Sequence, residues 1–126
     1  MTRTALTLLN YNSSEYADIS TPATVDQADG MACANAFFVK NGTTRIVVSN
    51  TASSSKNIIF RAGDFATGLA SSDYYVLVPA GHTYDILLNM VESRIKRQDG
   101  SLNIDFDPGF TGTIYAVGEA SHMDIG

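Results

Sequence analysis

His82 and His122 are the two histidines of this chain, the residue type best suited to a near-neutral catalytic base, and neither sits where such a base is needed. His82 stands in the turn Gly81-His82-Thr83 and reads as an exposed turn residue. His122 stands in the last few residues. A metal site of the kind built on clustered histidines wants a second His or a carboxylate nearby, and neither histidine has one at such a spacing. Asp105 and Asp107 form an Asp-x-Asp pair with Asp99 upstream, an oxygen-rich grouping of the sort that takes Ca²⁺. The plainer reading is preferred: Asp99 and Asp107 set turns, and Asp105 is the outward residue of a strand. Asp85 and Glu92 are a further pair of carboxylates for a glycosidase-like site, and nothing in the sequence brings them together. Cys33, the single cysteine, follows Met31-Ala32 in an apolar run and reads as a buried, inert thiol. With one cysteine no disulfide forms within the chain. Neither a Gly-rich phosphate loop nor a nucleophile elbow is present. The expectation is a protein without catalysis, cofactor or metal.

The composition points away from nucleic acid and from membranes. The formal net charge is −5, whereas a nucleic-acid binder carries a basic balance. No apolar stretch approaches the roughly 20 residues of a membrane-spanning helix. The opening MTRTALTLLNYNSS turns polar too soon for a secretory leader, so synthesis in the cytoplasm is expected. The matches to N-x-Ser/Thr at Asn12 and Asn41 are then chance. The one basic cluster is Arg94, Lys96 and Arg97. On a strand, Arg94 and Lys96 share a face and Arg97 points away; such a face is either solvated or meets an acidic partner.

The elements around these residues read as strands. Charged residues are 17% of the chain, with Ser, Thr, Asn and Gly in their place, which suits strands and turns. The clearest grammar runs from Asn41 to Asp64. Asn41-Gly42 is a turn pair; Ile46 and Val48 alternate with Arg45 and Ser49; a polar loop spans Asn50 to Lys56; Ile58 and Phe60 alternate with Asn57 and Arg61. Paired as a hairpin, these strands put Ile46, Val48, Ile58 and Phe60 on one core face. Val47 and Ile59 fall on the opposite face.

Tyr74 to Val78 and Thr83 to Leu88 form a second hairpin about Pro79-Ala80-Gly81. Ser93 to Arg97 is preferred as a strand over a short helix carrying Val91 and Ile95, because Asp99-Gly100 then closes a third hairpin onto Leu102, Ile104 and Phe106. Thr2 to Leu8, Met31 to Val39 and Thr111 to Val117 complete the set. About eight short strands with turn signals between them indicate a single antiparallel β-sandwich, jelly-roll or Greek-key-like.

One domain is expected at 126 residues. It divides into residues 1–30 (a first strand and an acidic loop or arm), a sandwich body at 31–118, and a tail at 119–126. Ser13 to Asp29 holds four acids and no base and departs from strand grammar. A loop this long is uncommon in a compact domain and is commonly functional. Glu15, Tyr16 and Asp18 within it, with Arg94, Lys96 and Arg97, are the candidate contact residues. The arm, Thr2 to Gly30, is expected to contribute to the partner contact, so that its removal abolishes binding and leaves the sandwich folded.

The order of these pieces resembles a family: small β-sandwich head decoration, or auxiliary capsid, proteins of tailed bacteriophages. The resemblance rests on Phe38-Val39-Lys40-Asn41-Gly42-Thr43-Thr44, on Ile46-Val47-Val48-Ser49-Asn50-Thr51 and on Arg61-Ala62-Gly63-Asp64. It continues through Val78-Pro79-Ala80-Gly81, Gln98-Asp99-Gly100-Ser101-Leu102, Phe106 and Gly109-Phe110-Thr111-Gly112-Thr113-Ile114. It runs from about Phe38 to Val117 and leaves out the acidic segment before Met31. It implies a non-enzymatic virion protein on the capsid surface, bound to the major capsid protein and to itself, as a homo-oligomer with a trimer favoured. It carries over no catalytic residue. A carbohydrate-binding sandwich is the rival reading, with Tyr74, Tyr75, Tyr84 and Tyr115 as candidate platforms; the absence of Trp counts against it. Another phage part, from the tail or neck, differs only in the partner.

Overall fold

A computed structural model describes residues 2–10, 22–34, 36, 43–63, 72–88, 92–97 and 99–119. Among them the chain forms ten strands and one helical turn. The strands are β1 (Thr4–Ala5), β2 (Leu8–Asn10), β3 (Ala23–Thr24), β4 (Met31–Cys33), β5 (Thr43–Asn50), β6 (Lys56–Phe60), β7 (Tyr74–Val78), β8 (Thr83–Leu87), β9 (Leu102–Phe106) and β10 (Gly112–Glu119). The helical turn, α1, is Glu92–Ile95.

Two sheets form, in the orders β1-β4-β9-β6-β7 and β2-β10-β5-β8, with β3 paired to the start of β10. The expected all-β sandwich is therefore the architecture. Most pairings are antiparallel; β1 joins β4, and β2 joins β10, in parallel. Alternation explains the inner faces. Ile46 and Val48 of β5, with Ile114 and Ala116 of β10, point inward from one sheet. Met31, Cys33, Ile58, Phe60, Leu102, Ile104 and Phe106 point inward from the other. Phe106 meets Phe110 edge-on at 5.2 Å between centroids, and Phe60 stacks on Tyr74 at 6.0 Å.

The three expected hairpins do not form. β5 pairs with β10 and β8, while β6 pairs with β7 and β9, so the Asn50–Lys56 connection arches from one sheet to the other. Pro79-Ala80-Gly81 likewise carries the chain from β7 across to β8. Ile46, Val48, Ile58 and Phe60 do share the core, but from opposite walls. The third expectation fails for a local reason. Residues 92–95 coil instead of extending, which buries Ile95 completely. The Arg94 carbonyl then accepts hydrogen bonds from the amides of Gly63 (2.9 Å) and Ser72 (3.2 Å). The Asp99-Gly100 turn is present, with the Arg97 amide donating to the Ser101 carbonyl at 3.1 Å, yet no strand precedes it.

The described parts of residues 1–30 are built into both sheets. β1 closes one and β2 the other, and the chain between them buries Leu6. Val25, after β3, is buried as well. Removing Thr2 to Gly30 would therefore take away three strands and two core side chains. Asn41-Gly42, Phe37-Phe38 and the tail from residue 120 lie outside the described residues.

Candidate interaction surface

The sandwich has an open flank made by the last strand of each sheet, β7 and β8, which follow one another in the chain. The run YYVLV in β7 has no polar residue to mark an outer face. Its pleat turns Val78 into the core and packs Tyr74 and Val76 against it. Tyr75 and Leu77 then face outward, each more than half exposed. Ile86 of β8 and Leu88 beyond it point inward, which leaves Leu87 outside at 59% exposure; Tyr84 is exposed near the flank's other end. Among the described residues these four are the exposed large hydrophobic side chains, and all lie on the two edge strands. Scattered surface apolar residues are ordinary; Tyr75 and Leu77, two apart on one strand face, form the candidate contact pair, while Leu87 faces outward from the other sheet.

Asn50 fastens the Val78–His82 end of the flank. The Asn50 side chain, almost fully buried, donates to the carbonyls of Val78 (2.9 Å) and Ser54 (3.1 Å) and accepts from the Ala52 amide (2.9 Å). Its backbone amide donates to the His82 carbonyl (3.0 Å), and its carbonyl accepts from the Gly81 amide (2.8 Å). One residue thus fastens both sheet-crossing connections to the end of β5.

A chain of charges borders the patch on the β7 side. Ile59 of β6 lies between Tyr75 and Asp105 in the ladder and is buried, although it points away from the core. Asp105 accepts from Arg61 Nε at 2.6 Å, and Arg61 Nη1 donates to Asp73 at 3.0 Å. Asp73 in turn accepts from the Ala62 amide at 2.6 Å. Burial pushes the Asp105 carboxyl up, but hydrogen bonds from Arg3 and Arg61, with their charges, outweigh it and hold the group below its ordinary value. On the β8 side, Arg45 Nε lies 3.5 Å from Asp85.

The chain matches no protein-family model, no curated protein and no solved structure.

The residues singled out in the sequence fall variously. Glu15, Tyr16 and Asp18 lie outside the described residues. Arg94 is on a helical turn, not a strand face. Its guanidinium covers the Tyr74 ring at 5.4 Å from the centroid, with Nε donating to Ser72 Oγ (2.7 Å) and Nη2 to the Asp73 carbonyl (2.9 Å). It fixes the entry to β7. Lys96 and Arg97 are half-buried beyond it, and the Lys96 backbone packs closely against Gly63.

His82 is exposed in its turn, while Asp99 holds Ser101 and Asp107 holds Asn57 through both its amide and its side chain. Among the described residues no three His, Cys, Asp or Glu side chains gather as a metal site, and no helix is long and apolar enough to cross a membrane. Asp85 faces Arg45; the side chain of Glu92 lies outside the description. Of the four tyrosines, Tyr74 and Tyr115 are half-buried, and Tyr75 and Tyr84 stand on edge strands of different sheets. The sequence reading missed Leu77 and Leu87. Their signal was an unbroken apolar run in β7 and the Ile-Leu-Leu end of the next strand, where one side chain in two must face out.

Proposed function

We propose that this protein is a bacteriophage virion component that binds the outer capsid surface and decorates or stabilises the head, without catalysis. The observation that supports the reading is the exposed apolar pair Tyr75 and Leu77 on the edge strand β7, with Leu87 and Tyr84 exposed on the edge strand β8, surface of the kind a protein partner covers. The order of turn and strand motifs from Phe38 to Val117, similar to that of head decoration proteins, supports the same reading. The partner is the major capsid protein. Self-association, with a trimer favoured, supplies valency, so that a small patch per copy suffices.

The test is co-sedimentation of the purified protein with mature heads of the phage that encodes it, beside emptied and unexpanded heads. Saturable binding at a stoichiometry matching lattice positions is expected. The double variant Tyr75→Ser/Leu77→Ser is expected to lose binding while its stability changes by no more than about 0.5 kcal/mol, as for other exposed sites. Absence of binding to every head form would overturn the reading and direct the search to tail and neck fractions.

A further inference from the structure

Away from the apolar flank, where β1 and β3 approach the turn before β10, the surface folds into a depression of about 450 Å³. Three threonines (Thr4, Thr24 and Thr111), the Asp26 carboxylate and the Gln27 amide line it around Val25 and Phe110, which are both buried. The polar groups are fixed by their neighbours. Asp26 accepts from the Thr4 hydroxyl on one oxygen and from the Asp29 amide (3.0 Å) on the other. Gln27 Oε1 accepts from the Gly109 amide at 3.3 Å, which ties the 26–29 turn to the 107–110 turn. Thr111 shares a hydrogen bond with Thr51 at 2.9 Å.

The lining chemistry narrows the ligand. Among the described residues no Lys, Arg or His lines the wall, so the wall offers an anion no direct cationic partner. A single carboxylate brings little charge to a divalent cation, and both its oxygens already accept hydrogen bonds from Thr4 and Asp29. Five polar side chains are too many for a purely apolar guest. What remains is a molecule with hydroxyls around its edge and C–H groups on its face. A carboxylate with spare lone pairs accepts from hydroxyls, an amide and threonines both donate and accept, and the threonine methyls and Ala28 offer the C–H groups an apolar surface. The size falls in the range of about 300–1,000 Å³ usual for small-molecule sites.

We propose that this depression is a binding site for a neutral sugar residue, with Asp26 and Gln27 as the groups that recognise its hydroxyls. The proposal uses no residue of the β7–β8 flank, so it stands or falls apart from capsid binding.

The experiment is heteronuclear NMR of the full isotope-labelled chain titrated separately with glucose, galactose, mannose and N-acetylglucosamine, and with methylguanidine as a cationic probe. At least one sugar is expected to shift the amides of residues 24–28 and 109–111 saturably in the millimolar range. Asp26→Asn is expected to weaken that binding about ten-fold or more, through loss of a hydrogen bond to a charged acceptor. Gln27→Ala, at an exposed turn position, serves as a second variant should Asp26→Asn disturb the fold, and is expected to weaken binding several-fold. The proposal is overturned if no sugar moves these amides, if binding is undiminished in a folded variant of both positions, or if methylguanidine alone binds.

Discussion

Arg3 grips Asp105 with two nitrogens, Nη1 at 2.6 Å from Oδ1 and Nη2 at 3.1 Å from Oδ2, across 102 positions of sequence. The same Nη1 donates to the Ile104 carbonyl at 3.1 Å. This fork–fork pair fastens the beginning of the chain to the middle of a sheet, beside a parallel strand only two residues long. Asp105→Asn keeps the shape and removes the charge that both Arg3 and Arg61 use. The expected cost is about 2 kcal/mol, read from urea unfolding.

The same carboxylate gives an acid dependence with a fixed sign. Its pKa in the folded chain lies below the ordinary 3.8. Its contribution to stability is therefore complete above that value and disappears as pH falls through the lower, folded-state pKa. The acid limb of a stability–pH curve is expected to be shallower for Asp105→Asn than for the parent chain. Identical limbs would show that the pair does not couple to folding.

Asn50 carries the two crossings between sheets, and its loss leaves the Val78 carbonyl without the donor it has now. Asn50→Ala is expected to cost about 3 kcal/mol, a lost set of bonds plus an unsatisfied buried group. Thermal or urea unfolding checks it. Asn50→Asp is expected to fare no better, since it replaces a donor to two carbonyls with a charge.

Gly112 and Gly81 offer a paired test of backbone geometry. Both have positive φ, 142° and 77°. A Cβ at Gly112 collides with the Ser49 carbonyl oxygen, whereas a Cβ at Gly81 meets nothing within 4 Å. Gly81→Ala is expected to cost about 1–2 kcal/mol for conformation alone. Gly112→Ala is expected to cost more than about 3 kcal/mol, because the start of β10 must also leave β5.

Cys33 is fully buried, and burial pushes its thiol up to about 12. It is expected to resist alkylation in the folded protein at about pH 8, near the usual thiol pKa, and to react at once in denaturant. Fast labelling of the native protein would show that β4 opens readily.

Much of this molecule is written in period-2 alternation. The patterns at Ile46/Val48, Ile58/Phe60 and Leu102/Ile104/Phe106 identify strands and the side chains that enter the core, and all seven are buried. Turn residues at Pro79-Ala80-Gly81 and Asp99-Gly100 likewise mark where direction changes. Partnership between strands is not written there. A hairpin and an arch between two sheets both need two apolar-faced strands joined by a polar turn, because each sheet of a sandwich presents its apolar face to the same core. Only the packed structure decides that β5 and β6 separate.

The same limit governs the surface. Asp105 has the sequence of a solvated strand residue, and it becomes the centre of an ionic chain because Arg3 and Arg61 arrive from distant parts of the chain. Tyr75 and Leu77 have the sequence of core residues, and they stand outside because β7 is the last strand of its sheet. Local patterning fixed which residues alternate; long-range packing decided which face each met, since a strand's neighbours lie far from it along the chain.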